Sequence, residues 1–130
     1  MKLFNTISNL VAAGLMLFFA IPKLIGIEKS VKGFEQFKSL VPIDPDIFRV
    51  FTGSVELLIA ILLITYTIKN TNSLGKLAYF LLLATMIGGL TMEFFARPEP
   101  EMMLVVIAII LSVLSIYKLK VLFKNKLNTI

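Results

Sequence analysis

Charged side chains occur inside long apolar runs of this sequence, where a membrane or a protein core would surround them. Lys23 lies in FFAIPKLIG, Glu56 in GSVELLIAILLI, and Glu93 and Arg97 in TMEFFARPEP. A charge at the centre of a membrane span costs about 2.5–3.5 kcal/mol on insertion scales, so each needs a partner, a polar cavity or a functional role. An ammonium group and a carboxylate together can donate and accept hydrogen bonds.

The composition excludes several other chemistries. The 130 residues include no cysteine and no histidine, which excludes disulfides, thiol redox chemistry, iron–sulfur clusters and haem ligation by histidine, and disfavours zinc. The sequence also contains no glycine-rich nucleotide-binding motif. We therefore expect no catalytic residues, no metal site and no autonomous enzyme activity. Any electrons would have to come through a bound organic cofactor or a partner.

Four apolar segments are each long enough to cross a bilayer, which takes about 20 residues. The chain is 58% hydrophobic with a mean hydropathy of +0.92, which is more apolar surface than one small core can bury. The first segment is too long for a cleaved signal peptide, and no small-residue cleavage site precedes Pro22. We predict one domain, residues 1–130, with spans at about 3–25, 48–68, 74–95 and 102–122.

The connection between the first two spans contains a short amphipathic segment. In VKGFEQFKSL the apolar residues recur at helical spacing between charged side chains, which is typical of a helix at the membrane interface. Asp44 before Pro45 indicates the N-cap of the next helix. The later connections, KNTNS and ARPEPE, are short polar turns. The predicted fold class is all-α: an antiparallel bundle of four transmembrane helices with an interfacial helix between helices 1 and 2.

An even number of spans places both termini on one side of the membrane. The short loop at Lys69 and the basic tail after Lys118 favour a cytoplasmic location for both termini, in the cell (inner) membrane. The net charge is +5, but the basic residues flank apolar runs. Contact with the lipid bilayer explains that placement better than nucleic-acid binding does.

The predicted spans place these charged residues in the outer half of the membrane. At 1.5 Å per residue, helix 1 rises roughly 30 Å before Lys23, and Glu56 lies roughly 10 Å inside the second span. Glu93 and Arg97 have the i, i+4 spacing of an intrahelical ion pair, and Thr52 lies one turn before Glu56. The sequence leaves open whether Glu56 meets Lys23, Arg97 or both. The predicted polar cluster, either a ligand site or a buried ion pair, comprises Lys23, Glu56, Glu93, Arg97 and Thr52.

The same residues also fit a purely structural role. Lys23 lies near a helix end, so its side chain can extend toward the lipid headgroups. A buried ion pair at Glu56 can have the purely structural role of fixing the register of two helices. Glu93 and Arg97 fit a surface pair that contributes little to stability. Gly88 and Gly89, about one turn before Glu93, would let a neighbouring helix or a ligand approach closely.

Three of these stretches resemble those of a known family. FFAIPKLIG, FEQFKSLVP and the glutamate of GSVELLIAILLI are similar to the DoxX and DoxX-like family of small four-helix membrane proteins. The resemblance covers most of the chain, and Lys23 and Glu56 match the family's characteristic positions. The sequence departs from the family pattern at Ala20, where glycine is usual, and at Asn5 and Asn9, in a region that often carries arginine.

The resemblance implies a role near membrane redox complexes or in assembly. The family's namesake is associated with a terminal quinol oxidase, related proteins with thiosulfate–quinone chemistry, and a eukaryotic branch with assembly of nicotinic acetylcholine receptors. Three hypotheses follow. The first is a protein that binds a quinone or lipid in an outer-leaflet polar pocket or supports a membrane redox complex. The second is an assembly or chaperone-type subunit with structural charges, bound to a membrane-protein partner or a second copy. The third is a proton-linked transporter using Glu56, ranked last because four spans are few.

Overall fold

Five helices account for almost all of the described chain. The computed structural model describes residues 2–38, 42–69, 71–95 and 102–129, and these ranges contain no strand. The all-α prediction is therefore confirmed, and every helix except α2 is long and apolar enough to cross a membrane. The helices are α1 (Lys2–Ile25), α2 (Glu28–Phe37), α3 (Pro45–Lys69), α4 (Asn72–Phe95) and α5 (Met102–Thr129).

The helices agree with the predicted spans except at two ends. α3 begins at Pro45 rather than at residue 48, because the Asp44 carboxylate accepts a hydrogen bond from the Asp46 N–H at 2.9 Å. This is the N-cap that the sequence predicts. α5 continues to Thr129, beyond the predicted end at 122, since the basic tail is rich in the good helix formers Lys and Leu. The predicted turn at 96–101 lies outside the described residues.

Pro22 and Gly26 together end α1. Proline lacks an N–H, but its carbonyl accepts bonds from the N–H groups of Gly26 and Ile27, both at 3.1 Å. Gly26 has a φ of 77°, the left-handed conformation that commonly closes a helix. The chain therefore turns sharply after Lys23 and leads directly into α2.

The four long helices pack as two pairs. α1 packs along α3, and α4 packs along α5, while α3 also contacts α4 and α2 rests on α3. Their shared core is narrow and consists of fully buried apolar side chains, among them Ala12, Met16, Ile59, Leu63 and Leu82.

The outward faces of the four long helices are apolar. No more than 33% of any of the four apolar windows is buried inside the bundle. Large side chains such as Phe80 and Ile110 are 61% and 58% exposed. Water-soluble proteins rarely expose contiguous apolar surface of this extent, so lipid is the solvent that this surface requires.

Gly53 allows α1 and α3 to approach closely. A methyl group at Gly53 would lie 3.0 Å from Cβ of Lys23 and 3.1 Å from Cγ of Leu24. Cβ of Lys23 cannot move away without its backbone, so a larger residue at position 53 would separate the two helices.

Gly53→Leu is therefore expected to destabilise the protein by about 1–3 kcal/mol, the usual result of overpacking. The measurement is the fraction of monodisperse protein after heating in mild detergent, followed by size-exclusion chromatography. Gly14→Leu is the matched control, because a methyl group at Gly14 would meet nothing within 4 Å. Equal stability of the two variants would show that α1 and α3 are not closely packed at Gly53.

Candidate functional site

Lys23 and Glu56 form an ion pair between α1 and α3. Nζ of Lys23 lies 2.9 Å from Oε1 of Glu56, and the two side chains are 18% and 5% exposed. The sequence alone did not decide the partner of Glu56, and the structure gives it Lys23. Because both groups are withdrawn from solvent, the attraction between them is screened far less than that of a surface pair.

The Lys23 side chain folds back along its own helix to reach this position. Its ammonium group donates to the backbone carbonyl of Phe19 at 3.1 Å and lies 5.4 Å from the centre of the Phe19 ring. A lysine ammonium has three N–H donors, and a carboxylate has about four lone-pair sites. Among the described residues, the pair and the Phe19 carbonyl use only some of these groups, which leaves capacity for a further hydrogen-bonding group.

Arg49 links the start of α3 to the end of α1 through a hydrogen bond. Its guanidinium donates to the carbonyl of Lys23, packs against Gly26, and lies 3.5 Å from the Asp46 carboxylate. A cation at a helix C-terminus also interacts favourably with the helix dipole. The sequence did not predict this role for Arg49, which is one of the basic residues that flank apolar runs. The available signals were the i, i+3 spacing to Asp46 and the helix-ending glycine at position 26.

A cavity of about 770 Å³ opens beside the ion pair. Lys23 and Glu56 lie in its wall, and every helix contributes to the lining. Most of the remaining lining is apolar, with six phenylalanines from α1, α2 and α3: Phe18, Phe19, Phe34, Phe37, Phe48 and Phe51. The site therefore combines a small polar region with a large apolar volume, as small-molecule sites commonly do.

The other predicted site residues have different surroundings. Thr52 lines the cavity, but its hydroxyl donates to the Phe48 carbonyl at 2.8 Å. Glu93 is buried and also lines the cavity. Arg97 lies outside the described residues, so the predicted Glu93–Arg97 pair stays a prediction. Four of the five predicted residues thus border one cavity.

Gly88 and Gly89 leave open space in α4. A methyl group at either position would meet nothing within 4 Å, and both glycines line the cavity. No described residue outside α4 occupies this space, so the prediction that these glycines let a neighbouring helix or a ligand approach closely stays a prediction.

A second polar group, which we call the terminal cluster, lies near the start of α1 and the end of α5. Nζ of Lys118 donates to the Asn5 side-chain carbonyl at 2.5 Å and lies 5.3 Å from the centre of the Phe4 ring. The Tyr79 hydroxyl donates to the Asn9 side-chain carbonyl at 2.5 Å. The terminal cluster comprises Asn5, Asn9, Tyr66, Tyr79 and Lys118.

The sequence did not predict the terminal cluster. Asn5 and Asn9 stood out only as departures from the family pattern, and Lys118 only as the start of a basic tail, whereas Asn9 and Lys118 are 0% and 4% exposed. The available signal was that α1 and α5 carry polar residues on their inward sides. That signal can be recognised only when the rotation of each helix is known.

Comparison with known proteins identifies a family. The sequence profile described as the DoxX-like family matches residues 7–115, which is most of the chain. Comparison with curated proteins and with solved structures finds no match.

Removing one partner of the ion pair is expected to destabilise the protein more than removing both. Glu56→Leu or Lys23→Met alone should cost about 3–5 kcal/mol, because each leaves a buried charge without its partner. The double variant should recover a large part of that loss. The measurement is a double-mutant cycle on thermal stability in mild detergent. Additive losses in the double variant would show that the two side chains do not interact.

Proposed function

Because the chain belongs to the DoxX-like family, we propose that its cavity binds a lipid-soluble molecule with a polar group. A quinone or a lipid has this character, and binding one would suit either a lone binding protein or a component of a membrane redox complex. Lys23 would donate a hydrogen bond to the polar group, and Glu56 would accept one. Glu93, Arg97 and Thr52 are proposed as further polar contacts.

One observation carries this proposal: the buried ion pair borders the cavity. Lys23 and Glu56 face about 770 Å³ of largely apolar space. Two charges that served only to join helices would be most stable when packed against other side chains, since adjoining empty space forfeits dispersion contacts. A volume of this size lies within the roughly 300–1,000 Å³ range of small-molecule sites.

The arrangement in the membrane is also a proposal. The hydrogen bond from Arg49 to the Lys23 carbonyl joins the start of α3 to the end of α1, and the contact of Tyr66 with Tyr79 joins the end of α3 to the first half of α4. They support one domain that forms an antiparallel bundle. The amphipathic α2 would lie at the outer interface, with both termini cytoplasmic and the protein in the cell (inner) membrane.

An assembly subunit is the alternative function. The ion pair and Arg49 both tie α1 to α3, which is what a purely structural role requires. The exposed apolar faces could then meet the helices of a membrane-protein partner or a second copy of this chain. Proton transport through Glu56 is less well supported. Fully buried apolar side chains, including Ile59, Leu63 and Leu82, separate the ion pair from the terminal cluster.

Native mass spectrometry of the protein purified with membrane lipids and decylubiquinone tests the binding proposal. We expect the wild type to retain a small molecule and Glu56→Gln to lose it. Loss of a hydrogen bond to a charged group should weaken binding about 10–100-fold, corresponding to roughly 1.5–3 kcal/mol. Thermal stability is measured on the same preparations.

Glu35→Gln is the matched control, because it makes the same chemical change at an exposed position of α2. It should leave the retained molecule unchanged. An unchanged set of retained molecules in Glu56→Gln, together with lower stability, would favour the structural role of the assembly subunit.

A further inference from the structure

We infer that the ligand enters the cavity laterally from the bilayer, between α1 and α5. Phe18 of α1 and Met103 of α5 both border the cavity there, and we call this gap between the two helices the seam. This inference rests on the proposed function and adds an entry route and a ligand class. The ligand would be an uncharged amphiphile dissolved in the membrane, rather than a solute from the aqueous phase.

Aromatic packing covers one end of the cavity. Phe34 and Phe37 of α2 are buried with Met92 of α4, and Phe48 of α3 packs against them. The Phe34 ring lies 5.0 Å from that of Phe37 and 5.3 Å from that of Phe48, both edge-on. These contacts join α2, α3 and α4, and the described side chains that make them all line the cavity.

The apolar core closes the opposite end of the cavity. Met86 lines the cavity and is 4% exposed, and Met16, Ile59 and Leu82 are completely buried in the core cluster with it. A ligand that moved along the bundle axis toward the terminal cluster would therefore have to separate these packed side chains.

The side of the bundle between α1 and α5 is different. α1 packs along α3 and α4 along α5, but α1 and α5 form no extended interface among the described residues. Phe18 and Met103 both line the cavity, yet they are 54% and 52% exposed at the bundle surface. Both belong to the candidate membrane spans of their helices, so their exposed surfaces would face lipid.

The terminal cluster closes the gap between α1 and α5 at the other end of these helices. The Lys118–Asn5 hydrogen bond joins α5 to α1, and the Phe4 and Tyr117 rings meet edge-on at 6.4 Å. These residues lie near the start of α1 and the end of α5, far along both helices from Phe18 and Met103. The two helices are thus fastened at one end and separated by the cavity at the other.

The chemistry of the route defines the ligand. Apolar side chains border the seam, so a charged solute would lose its hydration there without compensation. An uncharged amphiphile can bring its polar group to Lys23 and Glu56 while its apolar body stays against phenylalanines and lipid.

The absence of native cysteine makes a direct test possible. Single variants Phe18→Cys and Met103→Cys are tagged with a bulky maleimide in detergent and then reconstituted in nanodiscs. A long-chain fatty alcohol carrying an alkyl diazirine is dissolved in the bilayer, and its photolabelling of the peptide containing Glu56 is followed over time. We expect either tag to slow labelling about tenfold, because access through the seam then limits binding.

Phe4→Cys and Tyr117→Cys are the matched controls, since these residues lie on the same helices and are 52% and 53% exposed. Their tags should leave the labelling rate unchanged. Alcohol loaded before tagging should remain at Glu56 in the Phe18 and Met103 variants, which separates a blocked seam from a filled cavity.

Equal labelling rates in all four tagged variants would overturn the seam as the route, and so would loss of the preloaded alcohol from the seam variants. The alcohol reports entry whether or not Glu56→Gln retains its natural ligand. Failure of the entry route is therefore distinguishable from failure of the binding proposal.

Discussion

The ion pair between Lys23 and Glu56 is the interaction on which the rest of the structure depends. Each charge alone would be strongly unfavourable in this apolar bundle, and together they require a short, fixed separation. Several features supply it. Gly53 lets α3 approach α1, Pro22 and Gly26 end α1 just beyond the lysine, and Arg49 holds that end in place. This polar contact thus joins α1 to α3 at the point where the two helices lie closest.

The two ends of the bundle are built differently. The terminal cluster is closely packed, with Lys118 and Tyr79 buried and hydrogen-bonded to asparagines of α1. At the other end, the charged pair borders open volume, and α2 covers it with phenylalanines. The bundle is thus closely packed at one end and contains a cavity at the other. This arrangement suits binding of a small molecule from one leaflet better than transport of that molecule through the membrane.

The chemistry available to this chain is narrow. Without cysteine or histidine, its own side chains offer an ammonium, carboxylates, hydroxyls and aromatic surface. These groups can bind and orient a partner molecule and can exclude water from it. Membership of the DoxX-like family agrees with a small membrane protein of this kind.

The sequence alone was enough to predict that lipid surrounds this protein and where most of its helices lie. Apolar runs of span length and the Asp44–Pro45 cap are local signals, so most helix bounds follow them closely. Lys23 and Glu56 stood out for the same reason, because a charge within an apolar run is visible without a structure.

Only the tertiary structure decided which groups meet. Glu56 lies opposite Lys23, Asn9 opposite Tyr79, and Lys118 is buried rather than bound to lipid headgroups. Gly88 and Gly89 line the cavity, and no described residue outside α4 occupies the space beside them. Each of these outcomes depends on the rotation and separation of helices distant in sequence. Rotation and separation are set by packing of the whole bundle, whereas helix formation in lipid is set by each segment's own backbone and apolar length.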